Sequence, residues 1–299
     1  MSKIHEAMQR AEKEGLATGV FPSGARERSH HGAIASRESS SSLTIPDLVP
    51  PEKGNRPVVP AFNGLSGLIE KRTVPASRLV ALWNGTYDGL RESLRRKKAQ
   101  ARASGSDLKA ILFTSVGVGD GKSLTTANVS ISISKELGER VLLVDANLRT
   151  PSIHRWLGID QGHGLSEVLQ GTVAADQAIS RTDISDFYVV TAGNRVDNPT
   201  ELLNTRKMSD FLAFAKKYFD WVFVDSPSLM PEPDADLTSS MVDGVVLVAR
   251  SSRSSTTLLR DGIQMLQGRN VLGVVLNDVD ASNGPLGAFQ QRQNVQSSL

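Results

Sequence analysis

The chain has 299 residues, a formal net charge of +2 at pH 7 and no cysteine. Its 34 basic and 32 acidic residues nearly balance, so the overall charge points to no nucleic-acid partner. The lack of cysteine excludes disulfides, thiolate metal sites and cysteine catalysis, and it agrees with a reducing compartment. No apolar run approaches the roughly 20 residues that cross a bilayer, and the first residues do not lead into a signal-peptide core. We therefore expect a cytoplasmic protein that reaches the inner face of the membrane only through a partner.

Residues 1–15 predict a short amphipathic helix. Ile4, Met8 and Ala11 fall on one stripe, and Gly15 is a typical helix stop. Such a helix is too short to be stable alone. Two interpretations stay open: a frayed terminus, or a docking helix for a partner or a neighbouring subunit.

Residues 16–75 predict a flexible, disordered linker. The segment contains four consecutive serines at positions 39–42, five prolines between positions 46 and 60, and little apolar periodicity. A flexible coil of about 60 residues spans about 45 Å root-mean-square. That reach suits a helix that has to find a binding site elsewhere.

Residues 76–285 predict one α/β domain, followed by a disordered tail over 286–299. The domain opens with a helix in which Tyr87, Leu90 and Leu94 share one face. Five cations cover much of the remaining surface: Arg91, Arg95, Arg96, Lys97 and Lys98. A solvated face is favoured over contact with nucleic acid or anionic lipid, because no aromatic interleaving or nucleic-acid motif accompanies the charges.

The rest of the domain alternates strands and helices. Apolar runs predict strands at Ala110–Thr114, Val141–Asp145, Phe187–Thr191, Trp221–Asp225, Gly244–Ala249 and Val271–Asn277. Helical stretches lie at Ser123–Leu137, Arg206–Tyr218 and Ser255–Gln267. Strands without polar alternation indicate burial on both faces, as in a mostly parallel sheet with helices on both sides.

The stretch between the first strand and its helix, SVGVGDGKS at residues 115–123, has the layout of a phosphate-binding loop (P-loop). Glycines let the backbone direct its N–H groups at an anion, and the helix that follows adds a positive end. The lysine would reach the β- and γ-phosphates, and the serine hydroxyl would bind Mg²⁺. The predicted nucleotide contacts are Gly117, Gly119, Asp120, Gly121, Lys122, Ser123 and Leu124. An ordinary strand-to-helix connection is the alternative, and Val116 departs from the glycine that the full pattern has at that position.

Two predicted strands end in aspartate, at Asp145 and Asp225. A carboxylate delivered by a strand beside a phosphate-binding loop is what a Mg²⁺-nucleotide site needs, because this cation prefers oxygen ligands. The alternative is that each aspartate simply caps the next turn. Ligands in such folds bind at the carboxyl ends of the strands, where both residues lie.

In order, the segments GVGDGKS, VLLVDANLRTPSIHRWLG and FDWVFVDSPS resemble the bacterial protein-tyrosine kinase family of P-loop proteins. Further support comes from GLSEVLQG, NPTELL, DGVVLVAR and LGVVLN, so the resemblance covers roughly residues 84–280. The opening MSKIHEAMQRAEKEG also resembles stand-alone members found in exopolysaccharide gene sets. The resemblance implies a cytoplasmic ATP-dependent kinase that works with a membrane-bound chain-length regulator of capsule and exopolysaccharide export.

The resemblance also implies residue roles. Lys122 would be catalytic, Asp145 would activate the acceptor hydroxyl, and Asp225 would be catalytic and, with Ser123, bind Mg²⁺. Arg149 and Asn277 would contact the nucleotide, the latter near the adenine. ATP and Mg²⁺ are therefore the expected cofactors.

Three departures separate the chain from the family pattern. The second acidic residue of the family's D-x-D-x-R-x-P frame is Asn147, a neutral oxygen donor. The segment 284–299 lacks the tyrosine cluster that family members phosphorylate, and the whole chain has three tyrosines. The E-x-x-R-x-x-R pattern for ring assembly keeps only Arg91, which leaves homo-oligomerisation open.

Two functions follow as hypotheses. The first is a tyrosine-kinase-family ATPase that regulates polymerisation, chain length and export of an exopolysaccharide. The second is a slow ATPase that acts as a nucleotide-controlled interaction switch without tyrosine phosphorylation, similar to division-site and plasmid-partition ATPases. A third, a basic nucleic-acid or lipid binder acting through residues 91–98, is the least favoured.

Overall fold

The computed structural model describes residues 17–21 as backbone, and residues 87–251 and 254–278 with their side chains. The predicted helix over 1–15, most of the linker and the tail over 286–299 lie outside the described residues. Within the described residues, no helix combines the length and the apolar character needed to cross a membrane.

The described residues form eight strands and nine helices. The strands are β1 (Ala17–Phe21), β2 (Ala110–Ser115), β3 (Val141–Asp145), β4 (Ser180–Arg181), β5 (Phe187–Val190), β6 (Trp221–Asp225), β7 (Gly244–Arg250) and β8 (Val271–Asn277). The longer helices are α1 (Asp88–Ala103), α2 (Lys122–Leu137), α7 (Arg206–Tyr218) and α9 (Thr256–Met265). The shorter ones are α3 (Ile153–Leu157), α4 (Leu165–Gln170), α5 (Ala175–Ala178), α6 (Pro199–Leu203) and α8 (Asp234–Ser239).

The strands form one sheet in the order β1-β8-β7-β2-β6-β3-β5-β4. All neighbouring pairs are parallel except β4 with β5. The carboxyl ends of β2, β3, β6, β7 and β8 therefore meet at one edge. This arrangement confirms the mostly parallel P-loop fold and gathers the predicted site residues on that edge.

Helices cover both faces of the sheet. On one face, α1 and α2 pack on a cluster that contains Ile111, Phe113 and Phe223. On the other, α4 and α7 pack on a cluster that contains Leu112, Val144 and Val224. Alternate residues of each central strand thus enter opposite clusters, which explains why these strands are apolar throughout.

The linker prediction was wrong for residues 17–21. These residues form β1, which pairs in parallel with the outer edge of β8 from Ala17 opposite Gly273 to Phe21 opposite Asn277. The free N–H and C=O groups at the edge of β8 offer a ladder to any extended segment that reaches them. A distant backbone contact of this kind leaves no local signal in a Ser/Pro-rich region.

One cation of α1 does not belong to a solvated face. Lys98 is buried, its ammonium donates to the carbonyl of Asp220 at 2.5 Å and it lies 3.8 Å from the centre of the Trp221 ring. Burial lowers the pKa of Lys98 to about 8. Lys98 therefore joins α1 to the start of β6, whereas Arg95 on the same helix is about half exposed.

Candidate nucleotide-binding site

The predicted phosphate loop lies at the centre of the sheet. β2, flanked by β6 and β7, ends at Ser115, and α2 begins at Lys122. Gly119 and Gly121 have φ of 86° and 90°, a left-handed conformation that favours glycine. The strand, the glycine-rich turn and the helix thus stand in the order that the sequence predicted.

Asp120 braces the loop from inside. Its side chain is buried and its carboxylate accepts the Gly117 N–H at 3.0 Å. Burial raises the pKa of this carboxyl, against the lowering effect of that hydrogen bond and of the Lys122 and Arg250 charges. Asp120 therefore acts on the loop's own backbone in the described structure.

The ends of β7 and β8 hold the loop from outside. The Asn277 side-chain amide donates to the Asp120 carbonyl at 3.0 Å. The Arg250 guanidinium donates to the Gly119 carbonyl at 3.3 Å and to the Asp278 carboxylate at 2.7 Å. A β-carbon on residue 121 would lie 1.9 Å from the Asn277 amide nitrogen, so this close approach requires glycine.

Val116, which departs from the P-loop pattern, packs into the hydrophobic core beside α9. It is buried, and a β-carbon added to Gly262 of α9 would lie 2.5 Å from its side chain. The same β-carbon would lie 3.6 Å from Leu229. The missing side chain of Gly262 therefore makes room for Val116, and the loop glycines keep their conformations.

Asp225 ends β6 beside the start of α2, with no exposed surface. Neither of its carboxylate oxygens has a well-directed hydrogen-bond partner among the described residues. Burial raises the pKa of Asp225 to about 6, although the Lys122 charge and the nearby Ser123 hydroxyl both act to lower it. A buried carboxylate without well-directed donors is costly unless a ligand completes it.

Asp145 lies opposite Asp225 in the register of β3 with β6, and it is also fully buried. In contrast to Asp225, it accepts three backbone N–H groups at 3.1 Å, from Asn147, Ser152 and Ile153. Burial and the Asp225 charge raise its pKa to about 7 despite these donors. These contacts agree with the alternative interpretation of the sequence, in which the aspartate caps the turn that follows its strand.

Asn147, the departure from the family's second acidic residue, is buried and holds the same turn. Its side-chain oxygen accepts the Thr150 N–H at 3.1 Å and the Thr150 hydroxyl at 3.2 Å. An amide oxygen satisfies both donors without adding a third negative charge near Asp145 and Asp225.

Arg149 is bound by acidic residues from the start of α8. Its guanidinium donates to the fully buried Asp234 at 2.7 Å and lies 3.1 Å from Glu232. It also donates to the Thr200 hydroxyl at 2.7 Å, and the Asp234 hydrogen bond raises its pKa. The described contacts of this residue are therefore with protein groups, and they join the 146–152 loop to α6 and α8.

The carboxyl edge thus brings together the loop glycines, Asp120, Lys122, Ser123, Asp145, Asp225 and Asn277. Leu124, in the first turn of α2, is partly buried against the core. The described residues contain no cluster of three or more His, Cys, Asp or Glu that could hold a metal alone. The unpartnered Asp225 oxygens next to the Ser123 hydroxyl nevertheless fit a Mg²⁺ that takes its remaining oxygens from phosphates and water.

Two residues of this edge were missed from the sequence. Arg250 ends β7 within the DGVVLVAR segment, and Asp234 follows two prolines in a segment without periodicity. A polar residue that ends an apolar strand at the carboxyl edge is the signal that could have found Arg250. Nothing local distinguishes Asp234, because its burial comes from Arg149 and Thr200.

The chain resembles known proteins over most of this domain. It is 32% identical over 190 residues to tyrosine-protein kinase CpsD of Streptococcus pneumoniae serotype 4, a match that covers 62% of this chain and 82% of that protein. It is 30% identical over 193 residues to a Klebsiella pneumoniae protein of the same kinase type from the cps region, covering 64% of this chain and 26% of that protein.

A solved structure supports the fold. The septum site-determining protein MinD of Pyrococcus horikoshii, complexed with Mg-ADP, has a TM-score of 0.52 and 25% identity, covering 61% of this chain and 76% of that one. No family model matches the chain. From its likeness to CpsD and its P-loop fold, the chain belongs to the bacterial protein-tyrosine kinase family.

Proposed function

We propose that the protein is an ATP-dependent protein-tyrosine kinase that regulates polymerisation, chain length and export of an exopolysaccharide. Similarity to CpsD supports the kinase class, and the cps-region relative supports the link to a polysaccharide. The observation that carries the proposal is the buried, unpartnered Asp225 carboxylate beside the Gly-Lys-Ser end of the phosphate loop.

In the proposed site, the backbone N–H groups of the loop bind the phosphates of ATP and Lys122 contacts the β- and γ-phosphates. Ser123 and Asp225 would hold Mg²⁺, which supplies neutralising charge to the phosphate oxygens when bound. Leu124, Arg149 and Asn277 belong to the proposed nucleotide contacts. In the nucleotide-free structure, the Asn277 amide donates to the Asp120 carbonyl of the loop. The Arg149 guanidinium pairs with Asp234.

Asp145 is the proposed base for the acceptor hydroxyl. The acceptor oxygen forms a bond to the γ-phosphorus, the bond from that phosphorus to the β–γ bridging oxygen breaks, and ADP leaves. Asp145 takes the phenolic proton, and its pKa of about 7 suits a base that works near neutral pH. Its Oδ2 accepts two backbone N–H groups and its Oδ1 accepts one, so the remaining lone pair of Oδ1 is the proposed site for the proton.

The three tyrosines of the chain favour an acceptor on another protein. Tyr87 is buried, and burial raises its pKa to about 12. Tyr188 and Tyr218 are partly buried, with ring centres 5.3 Å from Phe219 and 5.0 Å from Phe214. None of the three offers a freely exposed phenol to the phosphate loop.

We further propose the remaining domain roles. Residues 1–15 dock on a membrane-bound chain-length regulator, and residues 22–75 act as the tether, with 17–21 fixed to the sheet as β1. Residues 76–285 form the catalytic domain and 286–299 a flexible tail. The supports are the amphipathic pattern of the first segment and the Ser/Pro-rich composition of the second.

Labelled ATP tests this proposal directly. The native protein, incubated with γ-labelled ATP, Mg²⁺ and a tyrosine-containing partner, should produce phosphotyrosine on the partner. Asp145→Asn should depress transfer about 100-fold or more while ATP binding persists, because a positioned base is worth roughly 10²–10⁴-fold. Lys122→Ala should abolish both. Transfer by Asp145→Asn at the native rate would remove Asp145 from the mechanism.

A second function, the slow ATPase switch, is favoured by the hydrogen bonding at Asp145 and by the neutral Asn147. A switch needs ATP hydrolysis and a change in partner binding, but no base for a phenol. In the same experiment, phosphate release without phosphotyrosine would support the switch and contradict the kinase.

A further inference from the structure

Arg250 lies outside the sequence motifs that define the nucleotide site, yet it touches the phosphate loop. It is the last residue of β7, and its side chain is 28% exposed. Its own backbone is fixed, because its N–H donates to the Ser254 hydroxyl at 3.0 Å and its carbonyl accepts the Ser254 N–H at 2.8 Å. The guanidinium therefore projects from a rigid strand end.

We infer that Arg250 is a positioning residue that fixes the direction of the phosphate-binding N–H groups by holding the Gly119 carbonyl. The C=O of one residue and the N–H of the next belong to one planar trans peptide and point in opposite directions. A held Gly119 carbonyl thus directs the Asp120 N–H, just as the Asn277 bond to the Asp120 carbonyl directs the Gly121 N–H.

The charged fork of arginine suits this position. One guanidinium reaches both the Gly119 carbonyl and the Asp278 carboxylate, at 3.3 Å and 2.7 Å. Asp278 orients the fork. The guanidinium charge also opposes the burial that raises the pKa of Asp120 within the loop. Lysine would place a positive charge here but could not make both contacts in the fixed geometry of the fork.

This inference rests on the proposed nucleotide site, but its first test needs no nucleotide. The backbone amide order parameters of residues 120 and 121 would be measured by ¹⁵N relaxation in the full, nucleotide-free chain. Arg250→Ala should lower them from about 0.85, the value of a rigid backbone, towards about 0.6, because the Gly119 carbonyl loses the donor that holds this peptide. The matched control is Arg269→Ala, which removes a 33% exposed arginine paired with Asp236 just before the other end of β8.

The second readout is the affinity for Mg-ATP, measured by calorimetry. Arg250→Ala should weaken binding roughly 3- to 30-fold, with Arg269→Ala unchanged. Arg250→Lys, which also serves if the alanine variant does not fold, should stay well short of the native affinity. If the native chain bound no nucleotide, the proposed function would fail, and the ¹⁵N relaxation measurement would still decide the case for Arg250.

Three results would overturn the inference. One is native order parameters at residues 120 and 121 in Arg250→Ala. Another is full recovery of affinity by Arg250→Lys, which would show that charge alone matters. The third is an equal loss in Asp278→Asn, which keeps the Gly119 contact, because the ion pair at the strand ends would then explain the whole effect.

Discussion

Asp145 and Asp225 stand opposite each other on neighbouring strands, each at the end of a buried apolar run and each without exposed surface. Asp145 accepts three backbone N–H groups, whereas the oxygens of Asp225 have no well-directed partner among the described residues. The first carboxylate holds the turn into α3, and the second is the one that we propose as a ligand of Mg²⁺. The same strand-plus-aspartate pattern thus yields one carboxylate that the backbone satisfies and one that it does not, according to which backbone returns to it.

The largest expected effect tests the proposed role of Asp225 as a ligand of Mg²⁺. Asp225→Asn should reduce Mg²⁺-dependent turnover of ATP at least about 100-fold, because the proposed cation supplies several kcal/mol of charge stabilisation and loses its carboxylate ligand. Steady-state phosphate release across a Mg²⁺ titration would measure the loss. Native turnover in this variant would remove Asp225 from the site.

Stability should separate Asp145 from Asp225. Asp145→Ala leaves three backbone N–H groups without their acceptor and should cost on the order of 3 kcal/mol, or roughly 6–12 °C in Tm. Asp225→Ala removes a buried carboxylate that accepts no backbone N–H among the described residues, and it should leave Tm of the nucleotide-free protein unchanged or higher. Thermal unfolding followed by circular dichroism would check both, and a larger loss for Asp225→Ala would contradict the comparison.

The raised pKa values of the two aspartates also predict that the stability of the folded protein depends on pH. Asp145 and Asp225 have folded pKa values of about 7 and about 6, above the ordinary 3.8. Between about pH 4 and 7 the folded state therefore binds more protons than the unfolded chain, and this contribution to stability falls as pH rises. Native Tm should fall by roughly 6–12 °C across this window relative to Asp225→Asn, measured without nucleotide. A difference in Tm between the native protein and Asp225→Asn that does not change with pH would contradict the raised pKa of Asp225.

The smallest expected effect comes from Asn147→Asp, which restores the family's second acidic residue. Aspartate can still accept both Thr150 donors. Its negative charge should lower the Mg²⁺ concentration needed for half-maximal turnover by roughly 3- to 10-fold. It should also raise the pKa values of Asp145 and Asp225 further. The concentration of Mg²⁺ at half-maximal turnover would measure the change, and Asn147→Ala is the control that removes the oxygen without adding charge. An unchanged or higher Mg²⁺ requirement in Asn147→Asp would show that residue 147 serves only to hold the turn with Thr150.

The sequence predicts the sheet well because its central strands are buried on both faces. Val141–Asp145, Trp221–Asp225 and Val271–Asn277 form strands with the predicted bounds, since continuous apolar runs need no knowledge of their neighbours. β1 escaped prediction because β8, the strand with which it pairs, lies some 250 residues away in the chain. The burial of Lys98 escaped for a similar reason, since Trp221 stands on a different element.

The candidate site is predictable only in part. The loop and the two aspartates can be located from local patterns, but the difference between Asp145 and Asp225 cannot. That difference depends on the N–H groups of Ser152 and Ile153, which return to Asp145 through a turn of seven residues. Arg250 at the end of β7 contacts Gly119, and Gly262 of α9 lies against Val116. Both residues lie far from the loop in sequence, so no spacing near residues 115–123 reveals them.

Calorimetric titration of the folded full chain with Mg-ATP tests the central claim most directly. The native protein should bind the nucleotide with heat that depends on Mg²⁺, Lys122→Ala should bind far more weakly, and Asp225→Asn should lose most of the Mg²⁺ dependence. Absence of any nucleotide uptake by well-folded native protein would contradict the account.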